Sequence, residues 1–287
     1  MKVKAAAKIN LALDVVGVLP NGYHAIKSVF QTVGIYDEVT VELTDRGIIE
    51  LTCDQPAALA KSDHIPCDER NIAYKAARLF LDENRLSTGC RIHIKKGIPS
   101  QAGMGGGSTD AAAVLYCLGR LTGKSISAPE RLGADVPFFL TGSAAYIEGI
   151  GERITPLPDY SGRILVIAKG AQGVSTAEAY RAIDELSEPV HPDVSGLVRA
   201  MKMAPDEAYK YFGNLFEEAV ELSEVEDIKS SMLTGGALAA VMTGSGSAVF
   251  GLFTDKAAAE KCSAALMDRS YFASVCETVR DSFTEIR

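Results

Sequence analysis

Pro99-Ser100-Gln101-Ala102-Gly103-Met104-Gly105-Gly106-Gly107-Ser108-Thr109-Asp110 places four glycines within five residues, just ahead of an apolar stripe at helical spacing, Val114, Cys117, Leu118 and Leu121. Glycine has no Cβ and tolerates positive φ, so such a loop leaves its amides uncovered and lets them converge on an anion. The first turn of the following helix adds free N–H groups and the positive end of the dipole. The stretch therefore predicts a phosphate cradle running into a helix over Asp110 to Leu121; the competing reading is a flexible loop capped by Ser108. A Walker A loop requires Lys after the last glycine, and Ser108 stands there instead, which disfavours a P-loop NTPase. Asp110 has two readings as well: it helps organise a magnesium-bound phosphate, or it complements the helix dipole.

Outward from the loop, strands and helices alternate. Arg91 to Lys95 reads as a strand before it, and Ile72 to Leu81 as a helix before that. At the amino end the odd positions from Val3 to Leu13 are all apolar, the pattern of a strand with one buried face, and Glu38 to Leu43 reads as a second strand. After the loop, a strand is expected from Phe138 to Ile147. Pro156, Pro158, Asp159 and Gly162 then break regularity and suggest a boundary, with one domain over 1–154 and another over 155–287. The second half predicts a strand at Arg163 to Lys169, a helix opened by a Ser175/Glu178 capping box, a hairpin around Gly244 to Gly246, a helix at Asp255 to Met267 and a strand at Phe272 to Cys276. The fold class is α+β, a sandwich of the split βαβ type.

Composition sets the outer bounds. The chain has 287 residues, 29 basic and 37 acidic, for a net charge of −8. At roughly 150 residues per domain this is one or two domains, with core enough to need no metal or disulfide staple. The charge balance and the lack of a basic run argue against nucleic acid as a partner. Lys8 and Asp14 interrupt what would be the apolar core of a signal peptide, so the start reads as mature protein. The uncharged run Gly235 to Thr254 is rich in Gly, Ser and Thr, which points to a buried hairpin and not to a membrane span. Six cysteines without a C-x-x-C, mostly in apolar segments, suggest reduced core thiols and a cytoplasmic setting. His64 and Cys67 form one near-pair without a second, so no metal site is expected.

Several residues could carry chemistry, each against a plainer alternative. Lys8 and Asn10 lie two apart on a strand and share a face, flanked by small Ala6 and Ala12: room for a ligand, or a half-exposed strand. Asp135, in Gly133-Ala134-Asp135-Val136-Pro137, is placed to be partly desolvated at the entrance to an apolar strand, which suits a general base; the alternative is a turn former. Asn21-Gly22-Tyr23-His24 is a turn, or an aromatic for stacking on a base beside a His that reads its edge. Tyr180 is core, or a second stacking ring. Thr243-Gly244-Ser245-Gly246 is a hairpin turn whose free amides could meet a phosphate.

Taken together, Ala7-Lys8-Ile9-Asn10-Leu11, Asn21-Gly22-Tyr23-His24, Pro99 to Ala113, Gly133 to Pro137 and Thr243 to Gly246 resemble, in content and order, the GHMP small-molecule kinases. The resemblance implies a ribosomal-protein-S5-like amino-terminal domain that binds ATP, a ferredoxin-like carboxy-terminal domain, and a catalytic cleft between them. It implies ATP over Pro99 and Gly103, Met104, Gly105, Gly106, Gly107, Ser108 and Thr109, with Mg2+ on the phosphates. Asp135 would take the proton of the acceptor alcohol and Lys8 would stabilise developing charge. Gly-Tyr-His and Gly-Ala-Asp-Val-Pro narrow the resemblance to members whose small-molecule acceptor carries a cytidine diphosphate group, in non-mevalonate isoprenoid precursor synthesis. Tyr23 and Tyr180 would then stack on cytosine, His24 would bond its edge, and Asn10 and Gly244 would contact substrate. A mevalonate, homoserine or sugar acceptor, or a nucleotide sensor without catalysis, are the competing readings. The segment from Ser125 to Gly133, with Pro129 inside, looks short for the family.

Overall fold

The computed structural model describes residues 1–56 and 65–286; His64, half of the near-pair considered for metal binding, lies outside them. Two long antiparallel strands, β1 (Lys2–Val18) and β2 (His24–Thr44), form the spine. A βαβ unit follows: β3 (Ile49–Asp54), α1 (Ile72–Glu83) and β4 (Gly89–Lys95), with β3 and β4 parallel and β4 paired to β2. Asn71 caps α1 by accepting from the amide of Ala73. The glycine loop then opens α2 (Gly106–Thr122), which packs on α1 and on both spine strands.

The helix starts four residues earlier than its apolar stripe indicated, because Gly105 in the left-handed region is the cap and the glycines themselves form the first turn. Ser108 is therefore inside the helix and caps nothing. A second correction concerns Phe138: the segment expected as a strand begins with a short helix, α3 (Val136–Thr141), and only β5 (Ala144–Gly149) is extended. Pro137 suits the first turn of a helix, where its missing N–H is not needed. The Ser125 to Gly133 segment contains a single 3-10 turn, Pro129–Arg131.

The apolar alternation in β1 also has a different meaning from the one expected. Its pairing with β2 slips between Ala6 and Ala7 and again between Asn10 and Ala12. Each bulge moves subsequent side chains to the other face. Val3, Ala5 and Leu13 consequently pack in one core, and Ala7, Ile9 and Leu11 in another. Both faces are buried. Lys8 and Asn10 fall between the two bulges, so they keep a common face.

After β6 (Arg153–Pro156), which pairs with β5, the chain enters a second, four-stranded antiparallel sheet. The chain runs through β7 (Ile164–Lys169) of that sheet, then α4 (Thr176–Asp184), α5 (Val194–Met203), a two-residue β8 (Gly213–Asn214) that pairs with β1 in the first sheet, α6 (Phe216–Ala219) and α7 (Ser223–Thr234). The hairpin β9 (Ala239–Met242) and β10 (Val249–Phe253) lies where the uncharged run was read as one, followed by α8 (Lys256–Asp268) and β11 (Phe272–Glu277). Strand order β11-β7-β10-β9, with α7 and α8 packed on the sheet, is ferredoxin-like. Ser175 stands before α4, but its side chain makes no capping bond, so the predicted capping box is not formed. The last strand, β12 (Phe283–Ile286), returns to pair with β1, so the chain's end belongs with the first sheet.

Candidate active site

A cleft of roughly 330 Å³ opens where the two glycine loops meet, lined by Lys8, Gly103, Gly105, Asp135, Tyr180 and Gly244 among others. The loops touch through backbone. Gly103 has φ +69°, and a Cβ there would lie 2.1 Å from the Thr243 carbonyl oxygen; a Cβ on Gly244, φ +60°, would lie 2.8 Å from Gly103 Cα. Only glycine satisfies both the backbone conformation and the approach. Gly105 is equally constrained, since a Cβ would sit 2.8 Å from the Phe139 ring. With a glycine cap, no side chain satisfies the first N–H groups of α2, which leaves Gly106, Gly107 and Ser108 amides for an anion.

Lys8 and Asn10 form the floor. The Lys8 amide donates to the Met104 carbonyl (3.0 Å), fixing the glycine loop to β1. Lys8 Nζ donates to Asn10 Oδ1 (2.8 Å), lies 4.6 Å from the centroid of the Phe30 ring, and stands 3.8 Å from Asp135 Oδ2. Burial lowers the Lys8 pKa below that of an ordinary lysine, and the Asp135 charge opposes the shift only in part. Asn10 is 1% exposed. Its amide NH2 donates to Ser28, and its Oδ1 also accepts from Thr243 Oγ, which takes the Asn10 backbone N–H in return. Asn214 donates to the carbonyls of Met242 and Gly244 and so holds the second loop against β1.

Asp135 stands at the N-cap position of α3 without a side-chain capping bond, in a turn where the Val136 amide donates to the Gly133 carbonyl. Its side chain is 30% exposed and faces the cleft, so it is wetter than the strand-entry reading assumed. Ser108 lies near this turn, its Oγ 4.0 Å from where a Gly133 Cβ would be. Pro99, Met104 and Thr109 are buried and shape the loop from behind. Gly103 and Gly105 are the loop residues that reach the cleft wall.

Asp110 does not simply complement the helix dipole. It is buried and accepts from Lys96 Nζ (2.7 Å), which also bridges to Asp37; Asp37 in turn accepts from the amides of Gly97 and Ile98. Burial pulls the Lys96 pKa down, but Asp110 and Asp37 outweigh it and hold the ammonium charged. The cluster joins the end of β4 to the first turns of α2, clamping both ends of the glycine loop. Nothing in the spacing of Asp37, Lys96 and Asp110 marks it, because the topology alone brings them together.

Tyr23 is 61% exposed, held in a turn where its amide donates to Asn21. His24, the first residue of β2, stacks on Tyr180 with centroids 4.5 Å apart and planes at 24°. Tyr180 packs edge-on against Phe216, and burial together with the nearby Asp135 charge pushes its hydroxyl up to about 12. The structure thus brings His24 and Tyr180 into one cluster and leaves Tyr23 at its rim. Thr176 and Ser245 hydroxyls, 3.1 Å apart, complete the wall opposite the first loop. Sequence reasoning missed Phe30, Asp184 and Asn214; a lone Asn or Asp at an element end carries no signal of its own.

Among the described residues no group of three or more His, Cys, Asp or Glu could hold a metal ion. Asp110 gives Oδ2 to Lys96, while its Oδ1 and the buried Thr109 hydroxyl make no hydrogen bond among the described residues; with Asp135 and the Ser108 hydroxyl they are the nearby side-chain oxygens for a phosphate-borne cation. That donor set suits Mg2+ carried mainly by phosphates and water.

Two glycine loops abutting over a buried lysine and a facing aspartate define a small-molecule phosphotransferase of the kind the sequence resembled. Residues 71–143 match the GHMP kinases N terminal domain and residues 197–272 the GHMP kinases C terminal domain. The chain belongs to the GHMP kinases, which are ATP-dependent. It is 41% identical, over 91% of its length and 94% of the relative's, to the 4-diphosphocytidyl-2-C-methyl-D-erythritol kinase of Clostridium botulinum (strain Eklund 17B / Type B). To the kinase of that name from Clostridium perfringens (strain ATCC 13124) it is 40% identical over 91% of each. The crystal structure of a 4-(cytidine 5'-diphospho)-2C-methyl-D-erythritol kinase superposes with TM-score 0.77 at 30% identity, covering 96% of this chain and 98% of that one. A homoserine kinase from Cytophaga hutchinsonii, at 20% identity and TM-score 0.76, shares the fold.

Proposed function

We propose that the chain transfers the γ-phosphoryl group of ATP to the 2-hydroxyl of 4-diphosphocytidyl-2-C-methyl-D-erythritol. The observation that carries this reading is the Lys8–Asp135 pair, 3.8 Å apart, facing the meeting point of the two glycine loops. Amides of the first turn of α2, with Gly103 and Gly105 shaping the approach, hold the nucleotide's phosphates. Asp135, the exposed carboxylate of the pair, accepts the proton of the acceptor hydroxyl. Lys8, kept in place by Asn10 and backed by Phe30, meets the charge that gathers on the transferred oxygens. Mg2+ bound to the phosphates would supply further neutralisation, held by oxygens such as those of Asp135, Ser108, Thr109 and Asp110 beside the loop. Tyr23, His24 and Tyr180 take the cytosine, and Thr176, Ser245 and the Gly244 loop sit nearest the substrate's phosphates.

The cytidyl acceptor is favoured over mevalonate or homoserine by the aromatic cluster at the mouth and by the relatives' shared name. All six cysteines are free, as suits a reducing cytoplasm, and the relatives' shared name supports a place in isoprenoid precursor synthesis. The test is ADP release with ATP and Mg2+ in a panel of acceptors. Turnover with the cytidyl acceptor and none with mevalonate or homoserine is expected; turnover with either of the latter alone would overturn the assignment.

A further inference from the structure

The Asp135 carboxylate accepts no hydrogen bond from a described residue, and Lys8 Nζ at 3.8 Å is too far to donate one. The aim of the side chain is therefore set by the backbone of Gly133, Ala134 and Asp135. One side of that turn rests on Ile72, whose Cδ1 would lie 3.4 Å from a Gly133 Cβ. The other side meets the tip of the β5–β6 hairpin: a Cβ on Gly151, φ +119°, would lie 2.9 Å from the Ala134 Cβ. Ile150, beside it in the tip, lines the same cleft as Ala134 and Asp135.

The tip is itself locked by Glu152. Its carboxylate accepts from the Ile150 amide (2.6 Å) and stands where a side chain on Gly149, φ +74°, would have to be. Such a bond from an amide to a charged acceptor is stronger than one between neutral groups. Gly149 pairs with Ile26 on β2, the strand whose Ser28 also holds Asn10 and through it Lys8. Both members of the Lys8–Asp135 pair are thus registered to β2, one through Asn10 and the other through this tip. We infer that Glu152 is a positioning residue that keeps Asp135 opposite Lys8 by bracing the hairpin tip against Ala134. This rests on the phosphoryl-transfer reading above, in which Asp135 accepts the proton. Glu152 is exposed and does not line the cleft, so it acts on Asp135 only through the tip.

A double-mutant cycle on the full chain tests this, with turnover measured in ATP, Mg2+ and the cytidyl acceptor. E152A should lower kcat about tenfold, as a small displacement of a reacting group does, and leave both Michaelis constants within about twofold. E152Q keeps an oxygen that accepts from the Ile150 amide, and should bring kcat back to within about threefold of wild type. In the Asp135→Asn background E152A should cost nothing more, because the proton acceptor it aims is already gone. A merely structural role would instead lower turnover equally in both backgrounds. Equal losses in the two backgrounds, an unchanged kcat in E152A, or no recovery in E152Q overturns the role of Glu152 while Asp135→Asn stays slow. If Asp135→Asn itself turns over like wild type, the reading of Asp135 as proton acceptor fails, and the role of Glu152 with it.

Discussion

The two ends of the cleft are built differently. At the phosphoryl end Lys8 and Asn10 are buried, and the site is held by several distant segments: Lys8 by Asn10 and Met104, Asn10 by Ser28 and Thr243, the second loop by Asn214, the first by the Asp37–Lys96–Asp110 cluster. At the base end Tyr23 projects from a turn into solvent, and His24 and Asp184 meet through one bond. Charge stabilisation in a loose transition state works only if donors are fixed beforehand, so that end tolerates no slack. Base recognition needs side chains that admit a flat ring, and a turn and a helix end provide them.

The sharpest test of this contrast is to cut the clamp. Asp37→Ala removes one of two carboxylates on buried Lys96 and leaves the Gly97 and Ile98 amides without their acceptor. Breaking a buried ion pair in this way should cost about 3–5 kcal/mol, read from the shift in urea midpoint. A loss under about 1 kcal/mol would mean the loop is held by other contacts. Asp135→Asn comes next. It should lower turnover by ~10²-fold or more while ATP affinity is spared. Turnover within a few-fold of wild type would place the proton acceptor elsewhere.

How much of this was legible in the sequence follows from how local each feature is. The glycine loop, the apolar stripe of the helix after it and the interleaved strands and helices of the second half were readable because periodicity and turn chemistry act over a few residues; both expected helix caps, by contrast, are not formed. Lys8 and Asn10 were correctly put on one face, though for an incomplete reason: the bulge between Ala6 and Ala7 and that between Asn10 and Ala12 reassign the apolar positions between two cores, and alternation cannot show a bulge. Phe138 was misread because an apolar run flanked by Pro137 fits a strand entry or a first helical turn equally well, and packing of Phe138 on Phe30 decides for the helix. Lys96, Asp37 and Asn214 were invisible for a stricter reason. Their partners lie 14 to 61 residues away in the first two cases and 28 to 30 in the third, and pairing at that range is a property of topology.

At the base end, smaller effects are expected. Tyr23→Ala should raise the Michaelis constant for the cytidyl acceptor about tenfold and leave the ATP constant and the unfolding midpoint unchanged, since stacking on one base contributes about 1–3 kcal/mol and the ring supports no core. An unchanged acceptor constant would show that the base rests on Tyr180 and His24 alone.

The smallest effect tests the buried end through its proton. Lys8 loses its proton at a lower pH than an ordinary lysine, because burial disfavours the ammonium more than Asp135 restores it. Its midpoint must therefore fall below the usual 10.5. Two consequences have opposite signs. Turnover, which needs the ammonium, should decline on the alkaline side before pH 10.5. Stability should rise over the same interval, since the unfolded chain keeps its proton while the folded one has released it. Titration of the Lys8 amine by 15N shift separates the two contributions: in Asp135→Asn the attractive charge is gone, so the midpoint should move lower still. A midpoint at or above that of a free lysine, or a rise on removing Asp135, would mean that the floor of the cleft is wet and that Lys8 is not held as tightly as its neighbours indicate.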